Sequence, residues 1–207
     1  MHIEILSPQQ NELLPFISYF KRNYFLVGGT AIALHIGHRR SIDFDLFTYN
    51  TLNRSLISKK VIEQPFQKQI IFTDTDQLHF LINGVKTTFF YFPYNIIHNE
   101  MLKKIISLPS LLTLSAMKAF ALGRRAKWKD YIDLYFIIKD YYKISEISLE
   151  AKLIFGELFS EKLFCEQLAF HDDIDYTEPV EFINGFSVNE TDIKCFLIEK
   201  SLDEINR

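Results

Sequence analysis

The chain has 207 residues, 48% hydrophobic and 24% charged, with 20 Phe and 10 Tyr, which suits one generous domain or two small lobes sharing a core and excludes disorder. Its formal charge of −3 excludes a protein that holds nucleic acid by general electrostatics, so a polyanion has to be met by a local basic cluster. No window is apolar for long enough to cross a bilayer, the start MHIEILSPQQ lacks the marks of a signal peptide, and Cys165 and Cys195 lie outside any CxxC or histidine pattern, so a cytoplasmic chain with neither disulfide nor zinc is expected.

PQQNELLPFISYFKRN, from Pro8, carries apolar residues at helical spacing and leads into YFLV, an apolar run closed by Gly28 and Gly29: helix, strand, turn. TAIALHI (30–36) predicts a short helix. IDFDLF (42–47) alternates as a strand, with Ile42, Phe44 and Leu46 toward the core and Asp43 and Asp45 together on the other face. QKQIIF, LHFLI and VKTTFFYF read as strands, the last two joined by an Asn83-Gly84 hairpin turn. After FPYN (92–95) strand-like runs stop, and LPSLLTLSAMKAFAL, WKDYIDLYFIIKDYY, LEAKLIFGELF and DIKCFLIEKSLDEI all have helical periodicity, with acidic HDDIDYTEP (171–179) as a loop. The expected organisation is an α/β part over 1–95 and a helical part over 96–207 packed against it.

Chemistry concentrates in the first part. Two carboxylates on one strand face repel unless a cation neutralises them, and hard ions such as Mg²⁺ take oxygen ligands and bridge to phosphates. Gly28 and Gly29 end a buried strand, and Thr30 opens a helix whose free N–H groups can receive an anion, so a phosphate site and a metal site become neighbours. No Gly-Lys-Ser/Thr follows, and G-x-G-x-x-G is absent, which excludes a P-loop and a dinucleotide fingerprint. Two basic clusters, HRR (38–40) and GRRAKWK (123–129), offer local positive charge. Lys118 falls on a helical stripe with Leu111, Leu114, Ala121 and Arg125, where it either snorkels or reaches into a cleft. Asp130 and Asp133 share a helical face and either touch substrate or orient the arginines of GRR.

Taken together, GGTAIALHIGHRRSIDFD resembles the nucleotidyltransferase superfamily signature, a Gly-Gly-Ser/Thr element followed after a short helix by an Asp-x-Asp strand. More narrowly, RRSIDFD, Lys118 in AMKAFALGRR and Asp130 and Asp133 in WKDYIDL resemble the AbiEii/AbiGii toxin family (DUF1814) over roughly residues 20–140. The resemblance implies an α+β fold, a polymerase β-like nucleotidyltransferase core with a mixed sheet, followed by a helical C-terminal part. It implies the toxin of a bacterial toxin-antitoxin pair, transferring NMP from an NTP to an acceptor such as tRNA, with a cognate antitoxin as partner. By position, Gly28, Gly29, Thr30, Arg39, Ser41 and Arg125 are expected to hold the nucleotide, Asp43 and Asp45 to bind Mg²⁺ or Mn²⁺, and Lys118 and Asp130 to join Asp43 and Asp45 in catalysis. The superfamily's usual third carboxylate falls in GVKTTFFYF, where Thr88 or its neighbour Thr87 stands instead, leaving Asp74, Asp76, Asp130 and Asp133 as candidate replacements. A nucleotidyltransferase acting on a small molecule, or a nucleotide- or partner-binding protein that has lost metal chemistry, are the alternatives.

Overall fold

The computed structural model describes residues 1–206, in which the chain forms two units, Met1–Ser110 and Leu111–Arg207. In the first, α1 (Pro8–Tyr19) starts at a capping box, with Ser7 Oγ accepting from Gln10 N at 3.1 Å and Gln10 Oε1 accepting from Ser7 N at 3.0 Å. Phe16 of α1, and Phe20 just beyond it, meet Phe89 edge-on at centroid distances of 6.5 and 4.8 Å. β1 (Phe25–Val27) passes directly into α2 (Gly28–Ile36), which Gly37 ends in the left-handed conformation. Then come β2 (Phe44–Thr48), α3 (Arg54–Ile62), β3 (Lys68–Thr73), β4 (Gln77–Ile82), β5 (Val85–Tyr91), β6 (Glu100–Leu102) and β7 (Ile106–Leu108).

The strands form one mixed sheet, in the order β3-β4-β5-β2-β1-β7-β6. β2 is central. It runs antiparallel to β1, with Val27 opposite Asp45, and parallel to β5, with Asp45 opposite Thr88. Phe44, Leu46 and Thr48 are buried on one face together with Thr87 and Phe89, so Asp45 and Thr88 share the other face. The Asn83-Gly84 hairpin is present, with both residues at positive φ as a two-residue turn requires.

Two expectations about this unit need correction. Ile42 is 61% exposed and precedes β2, so the inward alternation begins at Phe44. Strands do not stop at FPYN: β6 and β7 continue the sheet to Leu108, and β7 pairs parallel with β1. At three residues each, they are too short to display a period of two. Two helices, α3 and the one over Glu161–Ala169, also escaped the periodicity reading.

The second unit is helical: α4 (Leu111–Leu122), α5 (Trp128–Asp140), α6 (Ile144–Phe155), α7 (Glu161–Ala169) and α8 (Glu190–Ile205). LEAKLIFGELF was expected as one helix, but α6 ends at Gly156, at φ +57°, and a 3-10 turn follows. Phe120 of α4 stacks on Phe155 of α6 at 3.7 Å. Tyr131 of α5 donates its hydroxyl to the Phe170 carbonyl at 3.1 Å and accepts from Gln167 Nε2 at 3.2 Å, fixing α5 to the end of α7. Cys165 is buried, Cys195 is exposed, and both are free thiols. No helix among the described residues is long and apolar enough to cross a membrane.

Candidate active site

In the first unit the glycine turn, the basic pair and the aspartate strand converge. Gly28 has φ +74°, and a Cβ added to it would lie 2.2 Å from Asp45 Oδ2. A Cβ on Gly29 would lie 2.6 Å from the Arg39 guanidinium and 3.3 Å from Ser41 Oγ. Any larger residue at either position would have to push these groups away, so both glycines answer to close approach, and Gly28 to its left-handed backbone as well. The antiparallel register of β1 and β2 brings Asp45 back over the start of α2, where the positive end of the helix dipole favours its charge.

The segment between α2 and β2 is anchored from below. Thr30, 2% exposed, donates its hydroxyl to the Asp43 carbonyl and shares a 2.9 Å hydrogen bond with the Ser41 hydroxyl. Arg39, 3% exposed, donates from Nη1 to the Arg40 carbonyl at 2.9 Å, and Arg40 donates to the Glu4 carbonyl at 3.3 Å. Gly28, Gly29, Thr30, Arg39, Ser41, Asp43 and Asp45 therefore form one connected group. A side chain would fill the cradle above Gly28, and two carboxylates two residues apart give a hard oxygen donor set. That set suits Mg²⁺, which keeps waters and substrate phosphate oxygens as its remaining ligands.

No group of three or more His, Cys, Asp or Glu side chains among the described residues is arranged to hold a metal. The position across from Asp45 on β5 is Thr88, 6% exposed, and its hydroxyl makes no hydrogen bond among the described residues. Thr87, the neighbour also considered, points to the opposite face and is fully buried. Asp74 and Asp76 sit at the turn between β3 and β4; Asp74 accepts from Thr75 N at 2.7 Å, and the Asp76 carbonyl accepts from Tyr91 N, beyond Thr88 along β5. Beside Thr88 in the row is His79 of β4, which the sequence reading passed over. Its place on the Asp45 face becomes visible only once the strand register is known.

Lys118, Arg125, Asp130 and Asp133 gather in the second unit. Lys118, 5% exposed, places its ammonium 2.6 Å from Asp130 Oδ1 and 2.9 Å from Asp133 Oδ2, and Arg125 Nε lies 3.0 Å from Asp130 Oδ2. Burial pushes the Asp130 carboxyl up, but the Lys118 ammonium and the Arg125 guanidinium outweigh it and hold the group below its usual value. Two cations and two carboxylates balance, which makes so deep a cluster tolerable.

No family model matches the chain. A curated protein of Aquifex aeolicus (strain VF5), aq_aa25, which is uncharacterised, is 30% identical over 123 residues. That match covers 58% of this chain and 59% of the Aquifex protein's length. Three solved structures share the fold over nearly the whole chain. MenT4, the nucleotidyltransferase toxin Rv2826c from Mycobacterium tuberculosis H37Rv, superposes with a TM-score of 0.58 at 11% identity, over 93% of this chain and 81% of that one. A Helicobacter pylori protein provisionally described as a nucleotidyltransferase gives 0.57 at 14% identity, over 94% and 92%. JHP933, also from Helicobacter pylori, gives 0.56 at 17% identity, over 95% and 92%. The mixed sheet with its helices is thus a nucleotidyltransferase fold.

Proposed function

We propose that the protein is a Mg²⁺-dependent nucleotidyltransferase that moves NMP from an NTP to an acceptor hydroxyl. The observation that carries this reading is the closure of Asp45 over Gly28 and of Arg39 and Ser41 over Gly29, which puts a carboxylate, a guanidinium and a hydroxyl at one helix start. Mg²⁺ or Mn²⁺ held by Asp43 and Asp45 would supply charge neutralisation at the triphosphate. Thr30 and Ser41 keep the Asp43 backbone in place, and Arg39 faces the phosphates. The acceptor oxygen attacks the α-phosphorus and pyrophosphate leaves.

The finer reading adds the AbiEii/AbiGii resemblance: a toxin of a toxin-antitoxin pair with tRNA as acceptor, in which Lys118, Arg125 and Asp130 also serve the reaction. It is supported by the likeness of fold to a nucleotidyltransferase toxin. The test incubates the protein with each α-labelled NTP, Mg²⁺ and total tRNA. Label should enter tRNA, and Asp43→Asn or Asp45→Asn should abolish transfer and Mg²⁺-dependent NTP binding while leaving the fold intact, because the amide keeps shape and removes charge. Transfer at the wild-type rate by both variants would sink the reading.

Thr88 favours a second reading, a nucleotide- or partner-binding protein of the same fold with weakened chemistry. Calorimetry separates the two, since equal NTP affinity with and without Mg²⁺, and no product with tRNA or a small-molecule acceptor, would favour the binding protein.

A further inference from the structure

Attack on a phosphorus by a hydroxyl requires something to take the hydroxyl's proton. A carboxylate committed to a metal is a poor proton acceptor, and Thr88, opposite Asp45, has no basic atom at neutral pH. The row across the sheet runs Val27, Asp45, Thr88, His79, Phe72, each opposite the next on adjoining strands. Directly opposed residues share a face, at about 4.8 Å per strand step. His79 is therefore the next side chain beyond Thr88 on the carboxylate face, and the only titratable one in that row besides Asp45.

Its surroundings suit a base. His79 is half-buried, and its ring meets Phe72 edge-on at 5.4 Å. Nε2 lies 3.0 Å from Gln77 Oε1. Taking that oxygen as the acceptor puts the ring proton on Nε2 and leaves the lone pair on Nδ1, which has no hydrogen-bond partner among the described residues. Burial, and then the Lys86 ammonium on β5, lower the imidazole's proton affinity and so favour the neutral ring. Lys86 on β5 and Asp45 two strands away are the charged groups on this face near it; β3 contributes Phe72 and no charge.

We propose that His79 is the proton acceptor of this site, with Gln77 as the positioning residue that fixes its tautomer and the Thr88 hydroxyl as the polar neighbour between His79 and Asp45. The acceptor's O–H proton passes to Nδ1, the acceptor oxygen bonds to the α-phosphorus, and the bond to the β-phosphate oxygen breaks, releasing pyrophosphate. The inference rests on the nucleotidyl-transfer reading above.

The test compares the wild type with His79→Gln and Gln77→Leu. ¹⁵N-imidazole NMR of the wild type, without metal or nucleotide, should show His79 as the neutral Nε2–H tautomer, and Gln77→Leu should mix the tautomers. An Nδ1–H tautomer in the wild type overturns the proposal. His79→Gln should bind Mg²⁺ and α,β-methylene-ATP within about twofold of wild type, yet lose transfer from labelled NTP to total tRNA by about 10²- to 10⁴-fold, together with the acid limb of the pH-rate profile. Gln77→Leu, which keeps the ring, should lose about tenfold and covers the case in which His79→Gln fails to fold. Wild-type transfer with His79→Gln within threefold of it removes His79 from the chemistry and leaves the function standing. A wild type that transfers no nucleotide to any acceptor removes both.

Discussion

Neighbouring threonines on β5 have opposite situations. Thr88 stands opposite Asp45, whereas Thr87 turns into the core with a hydroxyl that finds no partner. Thr87→Val keeps the branched shape and removes a desolvated oxygen, so it should raise stability by about 1 kcal/mol without touching nucleotide binding, as thermal melts and calorimetry would show. Lys118 demands a subtler variant. Lys118→Met leaves Asp130 and Asp133 short of one cation in a buried place and should cost about 3–5 kcal/mol. Adding Asp133→Asn restores the balance of one cation to one carboxylate, and should recover part of the loss. If the double variant folds but transfers no NMP, Lys118 serves the chemistry; if transfer returns along with the fold, Lys118 only holds helices α4 and α5 together.

At the scale of elements, the basic segment 123–129 and the acidic loop 171–179 turn out to satisfy one another. Trp128 N donates to the Asp175 carbonyl at 3.0 Å, Asp175 N donates to the Ala126 carbonyl at 2.7 Å, and Glu178 pairs with both Lys127 and Lys129. Arg124 covers the Phe120 ring at 3.6 Å. Charge counting along the chain offered the first segment as local positive charge on a solvated surface and the second as an acidic loop; their pairing is long-range and left no local signal. Partial burial pushes the Glu178 carboxyl up, but hydrogen bonds from Lys127 and Lys129 prevail and bring it down to about 2 from an ordinary 4.5. Because the folded value is the lower one, the stabilisation is fully present above pH 4.5 and is lost as pH falls through about 2. Amide-exchange protection factors at Trp128 and Asp175 should therefore drop across that window, and Glu178→Gln should show lowered protection already at pH 7.

Over the whole molecule, what the sequence made legible was local. The glycine turn, the Asp-x-Asp pair and the Asn83-Gly84 hairpin each declare themselves within a few residues, and the change from strand to helix character is a property of composition. What stayed hidden depended on pairing: that Asp45 leans over Gly28, that Thr88 rather than an acid stands opposite it, that His79 completes the row, and that β7 joins β1 from the far side. Short strands and cross-strand neighbours carry no periodic signal of their own. The parallel pairing of β2 with β5 also has a temporal side. These strands are neighbours in the sheet, yet α3, β3 and β4 lie between them in the chain, so a ribosome releases Asp45 well before Thr88 and His79 can be placed beside it. Pairing of this non-local kind is slow to form. A nascent chain stopped before β5 therefore already holds the glycine turn and both aspartates, but lacks the strand that stands beside Asp45 in the finished sheet.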